Sequence, residues 1–203
     1  MKQGSIEWQV EKLGKFSASK IFELMGKTKI TQGGITYIIE KVTEELTQLW
    51  NEINAPAIEW GNRLEPFAAE HYAKVFKVKL IKDAWKRIND HAGVSPDRLI
   101  EGEEKGIEIK CPFNRSNHTK NLLLKSQEEF KKLRPEYYWQ IQMQMKAYNF
   151  DRWDFVSYHP EFEGINKMFV LEVKRDQQDQ QLLEKRLQEA IILKQTYLHN
   201  INN

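Results

Sequence analysis

The stretch HAGVSPDRLIEGEEKGIEIKCPF, residues 91–113, decides how the rest of the chain is read. An apolar run from His91 to Val94 ends at the rigid turn Ser95-Pro96, and Asp97 is the residue that leaves it. A charged, glycine-punctuated tip from Glu101 to Gly106 follows, and then a second strand, Ile107-Glu108-Ile109-Lys110. Strand side chains alternate between faces, so Glu108 and Lys110 share one face while Ile107 and Ile109 point into a core on the other. Pairing of the two strands through the tip brings Asp97 close to Glu108. Two carboxylates and an ammonium then meet at one spot, which suits a hard cation with a cationic neighbour. The same alternation also describes an amphipathic hairpin with a solvated charged face. The flanking sequence has to choose between them.

A chain of 203 residues with 40% hydrophobic content is expected to form a single domain, residues 1–203, with a real core. Charged residues reach 30% yet the net charge is only +2, so a nucleic-acid partner has to be argued from local patches. Cys111 is the only cysteine, which excludes a disulfide framework, a zinc knuckle and a four-cysteine iron–sulfur cluster. No apolar run approaches the length of a membrane span, and the first residues lack the apolar core of a signal peptide. The expected location is the cytoplasm, with no membrane partner.

Outward from the central stretch, Ser5 to Gly14 reads as a short helix stopped by glycine. Either Ser17 or Ser19 is placed to cap the next helix, whose apolar positions are Ile21, Leu24 and Met25. A helix start rich in hydroxyls is also a ready anion site, although capping alone accounts for it. After a basic loop, Ile35, Ile38, Ile39, Val42, Leu46 and Leu49 mark one face of a further helix. Pro56 opens a helix running to about Phe76. Inside it Gly61 and Pro66 cost roughly 1 and 3 kcal/mol, so something other than helicity favours them. Glu65 beside that kink is a candidate third acid aimed at Asp97 and Glu108.

Val75 to Asn89 supplies strand material. Beyond Phe113 the chain turns basic (Arg115, His118, Lys120, Lys125, Lys131, Lys132, Arg134), as either a phosphate-facing patch or a solvated helix face. Pro135 starts a helix in which Gln140 and Gln144 lie one turn apart with Tyr137 and Tyr148. Glutamines between large apolar residues suggest a polar strip pressed against a hydrogen-bond acceptor. A strand from Asp151 to His159, its hairpin partner from Lys167 to Lys174, and an amphipathic helix from Gln178 to about His199 complete the reading.

In this order the pieces resemble the lambda exonuclease-like nucleases, the YqaJ viral recombinase group of the PD-(D/E)XK superfamily. The similarity spans about Lys12 to Pro160. It is carried by Leu13-Gly14 with Ser17-Ala18-Ser19, then Gly61-Asn62-Arg63-Leu64-Glu65, then Ser95-Pro96-Asp97, then Glu108-Ile109-Lys110-Cys111-Pro112, then Tyr137 with Gln140-Ile141-Gln142. The implied fold is α/β (α+β), a restriction-endonuclease-like core with a central mixed sheet flanked by helices. The resemblance implies that Asp97, Glu108 and the carbonyl of Ile109 hold Mg²⁺, for which Mn²⁺ can substitute. It implies that Lys110 contacts the attacking water or the scissile phosphate, that Glu65 supports the metal's water shell, and that Gln140 walls the site.

Ser19, with Ser17 beside it and Lys12 where the better-known relative has arginine, would bind a terminal 5′-phosphate. Arg98 stands where glycine is usual after the aspartate, and Arg115 is one place off the arginine expected beyond Cys-Pro; both join Tyr137 as candidate substrate contacts. The implied activity is Mg²⁺-dependent exonuclease digestion, 5′→3′ from double-stranded DNA ends, in phage-type recombination. A homotrimer and a single-strand annealing partner are implied with it, in a bacterial host as a phage or prophage product. Two other readings stand beside it: a structure-selective endonuclease on the same fold, and a catalytically silent scaffold that binds DNA ends.

Overall fold

The structure is a computed structural model and describes residues 3–50 and 55–203. Helix α1 (Ile6–Lys12) starts at Ser5, whose hydroxyl accepts the Trp8 N–H, and the chain turns away at Gly14 with φ +66°. Strand β1 (Phe16–Ser17) leads into a 3-10 helix, Ala18–Leu24, and then α2 (Gln32–Thr47), capped by Thr31. Helix α3 (Pro56–Phe76) begins on proline, whose fixed φ suits a first helical position, and continues through Pro66. Strands β2 (Leu80–Ile81), β3 (Lys86–Asn89), β4 (Ala92–Val94), β5 (Arg98–Ile100) and β6 (Lys105–Lys110) follow. Then come α4 (Arg115–Leu122), α5 (Gln127–Leu133), α6 (Pro135–Tyr148), β7 (Arg152–Tyr158), β8 (Met168–Lys174) and the long α7 (Gln177–Asn202).

The strands form two sheets. One has the order β2-β5-β6-β7-β8, antiparallel except for the parallel β6–β7 pair, and the other has the order β1-β4-β3. Ser95-Pro96-Asp97 is the link on which the chain leaves the small sheet and enters the large one. A turn with proline fits there because the chain must stop pairing with one sheet before it starts with the other.

Two apolar clusters show how the large sheet is covered. On one face Ile107, Ile109, Val156 and Tyr158 pack against Leu64, Ala68 and Tyr72 of α3. On the other, Trp153 and Phe155 pack with Tyr138, Ile141 and Met145 of α6 and Leu183 and Leu187 of α7. The helices and mixed sheets agree with the expected fold class. Gly106 is required by this packing, because a Cβ there would lie 2.3 Å from the Trp153 ring.

Three expectations need correction. On α2, Ile38 and Val42 are buried, but Ile39 and Leu46 are about half exposed, at 49% and 45%, and Leu49 lies beyond the helix. Tyr37 takes the inward place instead, with its hydroxyl accepting the Ser17 N–H at 2.9 Å and its ring edge-on to Phe16. Val75 and Phe76 are the last turn of α3 rather than strand, and pairing begins only at Leu80. His118 does not belong to a basic surface: it is buried, its ring bonded to the Ser157 hydroxyl and the Asn166 carbonyl, both at 2.8 Å. Of the remaining cations in that patch, Lys131 pairs with Asp179 and Arg134 is bonded to Asn121 and the Asn117 carbonyl.

Candidate active site

Register brings the acids together. Antiparallel pairing matches Arg98 with Ile107, so Asp97 stands opposite Glu108 across the strands. The Asp97 carboxylate accepts the Ile109 N–H at 2.6 Å, just where β5 begins. Alternation then sends Ile107 and Ile109 to α3 and Glu108 to α6. Glu108 is 1% exposed, and such a carboxylate must find donors. Gln140 donates to Oε1 at 2.7 Å and Gln144 to Oε2 at 2.6 Å, both from one face of α6. Lys110, two residues on and on the same strand face, adds its ammonium to Oε1 at 2.6 Å. These atoms are the acceptor against which the glutamine strip is pressed.

Charge is unevenly balanced here. Burial raises the Asp97 carboxyl well above the usual carboxylate range, Glu108 and Glu65 push the same way, and Lys110 and the Ile109 N–H only partly offset them. Burial alone would lower Lys110, but the charges of Glu108 and Asp97 and the bond to Glu108 hold it above its ordinary value. Lys110 is therefore a permanent cation, 5.0 Å from the centre of the Tyr137 ring, which itself stacks on Phe155. Burial pushes the Cys111 thiol up to about 12, with Asp97 and Glu65 adding to it, so it is no nucleophile. Glu65, Asp97, Ile109, Lys110, Tyr137 and Arg134 all line one cavity of about 570 Å³.

The donor set fits a hard divalent cation. Asp97 and Glu108 are buried or partly buried carboxylates that offer oxygen donors, and Mg²⁺ keeps several waters and needs few protein groups. Among the described residues no three His, Cys, Asp or Glu side chains lie close enough to hold a metal by themselves. Glu65 is instead bonded to Arg98, Oε1 to Nη1 at 2.7 Å, with Lys82 at 3.8 Å. Arg98 is thus engaged within the site rather than open to a substrate, and it also donates to the Asp97 carbonyl.

A second cavity, of about 480 Å³, is lined by Lys12, Ser17 and Ser19, and it shares Ile58 and Asn62 with the first. Pro66 has no N–H to give the Asn62 carbonyl, so that oxygen is left without its helical bond where the cavities adjoin. Ser17 occupies the cap position of the 3-10 helix without a side-chain capping bond, and its hydroxyl lies 3.2 Å from that of Ser19. Burial lowers Lys12 to about 8, Lys41 lowers it further and Glu44 opposes them, while its ammonium sits 3.6 Å above the Trp8 ring. Arg115 lines neither cavity; it is exposed and paired with Glu161.

Residues 7–150 match the model of the YqaJ-like viral recombinase domain. The chain belongs to that family. Among solved structures, this YqaJ-like domain is similar to an alkaline exonuclease (LHK-Exo) from Laribacter hongkongensis, with TM-score 0.86 and 28% identity over 98% of this chain and 96% of that one. LHK-Exo in complex with dAMP superposes with TM-score 0.85 at 27% identity, covering 97% and 96%. A phage related exonuclease from Haemophilus somnus 129PT shares the fold at TM-score 0.79 and 16% identity, covering 92% and 96%. Among curated proteins nothing matches. The family and these neighbours make the YqaJ-like chain a nuclease of the phage-type exonuclease class, a hydrolase acting on DNA.

The YqaJ-like site contains residues that the sequence reading left out. Gln144 stood in the glutamine strip without a role in the site, although its spacing of one turn from Gln140 was the signal. Arg134 was counted with a surface patch, and only the approach of α4 to the start of α6 brings it to the cavity. No helix is long and apolar enough to cross a membrane among the described residues.

Proposed function

We propose that the chain is a single nuclease domain that digests double-stranded DNA from its ends, 5′→3′, with Mg²⁺ or Mn²⁺ held by Asp97, Glu108 and the Ile109 carbonyl. The observation that carries this is that Asp97 and Lys110 line one cavity while the buried Glu108 carboxylate lies 2.6 Å from the Lys110 ammonium. When bound, the metal supplies an electrophile for the phosphate oxygens and an acidified water. The protein's own part is positional and electrostatic. Gln140 and Gln144 hold both oxygens of Glu108, which fixes the direction in which that carboxylate faces. Lys110, held toward its charged form by Glu108 and Asp97, meets the charge that develops on the phosphate. Tyr137 stands beside the ammonium and limits its movement.

In this reading the second cavity takes the 5′-phosphate through Lys12, Ser17 and Ser19. The Ile58–Asn62 boundary lets one strand end reach both cavities at once. The anion contact rests on hydroxyls and the Lys12 ammonium, since Lys15, Lys20 and Lys41 of the same cavity pair with Glu11, Glu40 and Glu44 and a 3-10 helix of 7 residues adds little dipole. The capture of dAMP by LHK-Exo supports mononucleotide release. A homotrimer around duplex DNA, with a single-strand annealing protein as partner in a bacterial host, completes the proposal, and light scattering of the purified protein tests the trimer. The activity is tested with linear duplexes labelled at one 5′ end. Label is expected to be released as mononucleotide only with Mg²⁺ or Mn²⁺, and not by well-folded Asp97→Ala or Glu108→Ala. Cleavage by either variant removes the assignment.

A further inference from the structure

Arg98 lies inside the acid cluster, and the chemistry above gives it no task. Its backbone is fixed by pairing with Ile107. Its guanidinium is anchored twice, on the Glu65 carboxylate at 2.7 Å and on the Asp97 carbonyl. The ion pair is well shielded, with the Arg98 and Glu65 side chains 13% and 19% exposed. Lys82 approaches the same Glu65 oxygen to 3.8 Å. Glu65 is close enough to Asp97 to raise its carboxyl, yet it does not complete a three-acid metal cluster among the described residues.

We infer that Arg98 withdraws Glu65 as a ligand, and so limits the acid cluster to one firmly held divalent cation while no DNA is bound. The inference rests on the metal-site reading above and goes beyond it by setting the number of ions. With Glu65 neutralised by Arg98, Asp97 and Glu108 face Lys110 alone, which leaves a single negative charge. One divalent ion reverses that charge and makes the cavity attractive to a phosphodiester. A second has no free carboxylate to meet and is repelled by the first ion and by Lys110 together. Arginine suits this task better than lysine because its guanidinium keeps its charge when shielded, whereas a shielded ammonium loses its proton readily.

The test is Mn²⁺ binding to the DNA-free protein, read by titration calorimetry and by the loss of the free-ion electron paramagnetic resonance signal. The parent protein is expected to take up one Mn²⁺ per chain and Arg98→Gln two, with Arg98→Gln/Glu65→Gln returning to one. Glu65→Gln alone is expected to leave the affinity of the first ion within about twofold, since that carboxylate is already withdrawn. Circular dichroism melts establish that each variant is folded. Two ions in the parent, one ion in folded Arg98→Gln, or a loss of about tenfold or more in Glu65→Gln each overturns the inference. Glu65→Gln keeps it falsifiable if Arg98→Gln does not fold. Asp97→Asn separates this from the reading beneath it: Mn²⁺ uptake unchanged in Asp97→Asn means that the metal site itself is misassigned, whatever Arg98 does.

Discussion

Asp97 is the residue at which folding and the proposed metal site oppose each other. Its carboxyl is raised in the folded state, by burial first and by Glu108 second. A raised folded-state value means that the protein gains stability when this group is protonated and loses it as pH rises through that value. Where it is ionised, the group therefore destabilises the metal-free fold. Asp97→Asn keeps an acceptor for the Ile109 N–H and removes the charge, so it is expected to melt higher than the parent without metal. The gain should be on the order of 2–4 °C, shrinking toward about pH 4, where unfolded aspartate also takes up its proton. Adding Mg²⁺ should raise the parent and leave the variant unchanged. A variant that melts no higher than the parent in a chelating buffer contradicts this account of Asp97. Lys12 shows the opposite case, a cation lowered to about 8 by burial and by Lys41. Its charge fades across the mildly alkaline range. The rate ratio of 5′-phosphoryl to 5′-hydroxyl duplexes should thus fall between about pH 7 and about pH 9. A constant ratio across that range places the terminal phosphate elsewhere.

At the scale of elements, α6 does more than cover the sheet. Its two glutamines satisfy both oxygens of an acid that the sheet buries. Gln144→Leu preserves the size of the side chain and strands one carboxylate oxygen in an apolar wall. It is expected to weaken Mn²⁺ affinity by about 10–100-fold, measured by the same titration, with little change in helix content. An unchanged affinity would show that Gln140 and Lys110 suffice. This element was readable from sequence because its period and its polar residues agreed. So was the Asp97–Glu108 approach, since the tip length sets which residues oppose each other. The inward face of α2 was not readable in the same way. Ile39 and Tyr37 are both large and sit on adjoining stripes, and only the nearby Phe16 and Ser17 N–H select the tyrosine. The Arg98–Glu65 pair was hidden for a related reason. It depends on how closely α3 crosses β5, and no local pattern encodes that distance.

Across the whole molecule, α7 ties the ends of the fold to one another. Arg186, 2% exposed, donates to the Gly26 and Lys27 carbonyls. Lys194, 1% exposed, bonds the Gly14 carbonyl at 2.6 Å and pairs with Glu45. Gly14 closes the segment that carries Lys12 and precedes Ser17 and Ser19, so these buried cations brace the second cavity from behind. Lys194→Met is expected to cost about 1–3 kcal/mol of stability through the unpaired carbonyl. It should also erase the discrimination between phosphoryl and hydroxyl ends while metal-dependent cutting of hydroxyl ends persists. Loss of both activities at a temperature where the variant is folded would mean that the two cavities are not separable. The bond from Lys194 to Gly14 spans 180 residues, and a ribosome delivers the chain from its N-terminus. The strands that carry Asp97 and Glu108 therefore leave the exit tunnel long before the helix that braces Gly14. A nascent copy of this nuclease has its acids before its grip, and the Gly14 turn goes unbraced until α7 has been made.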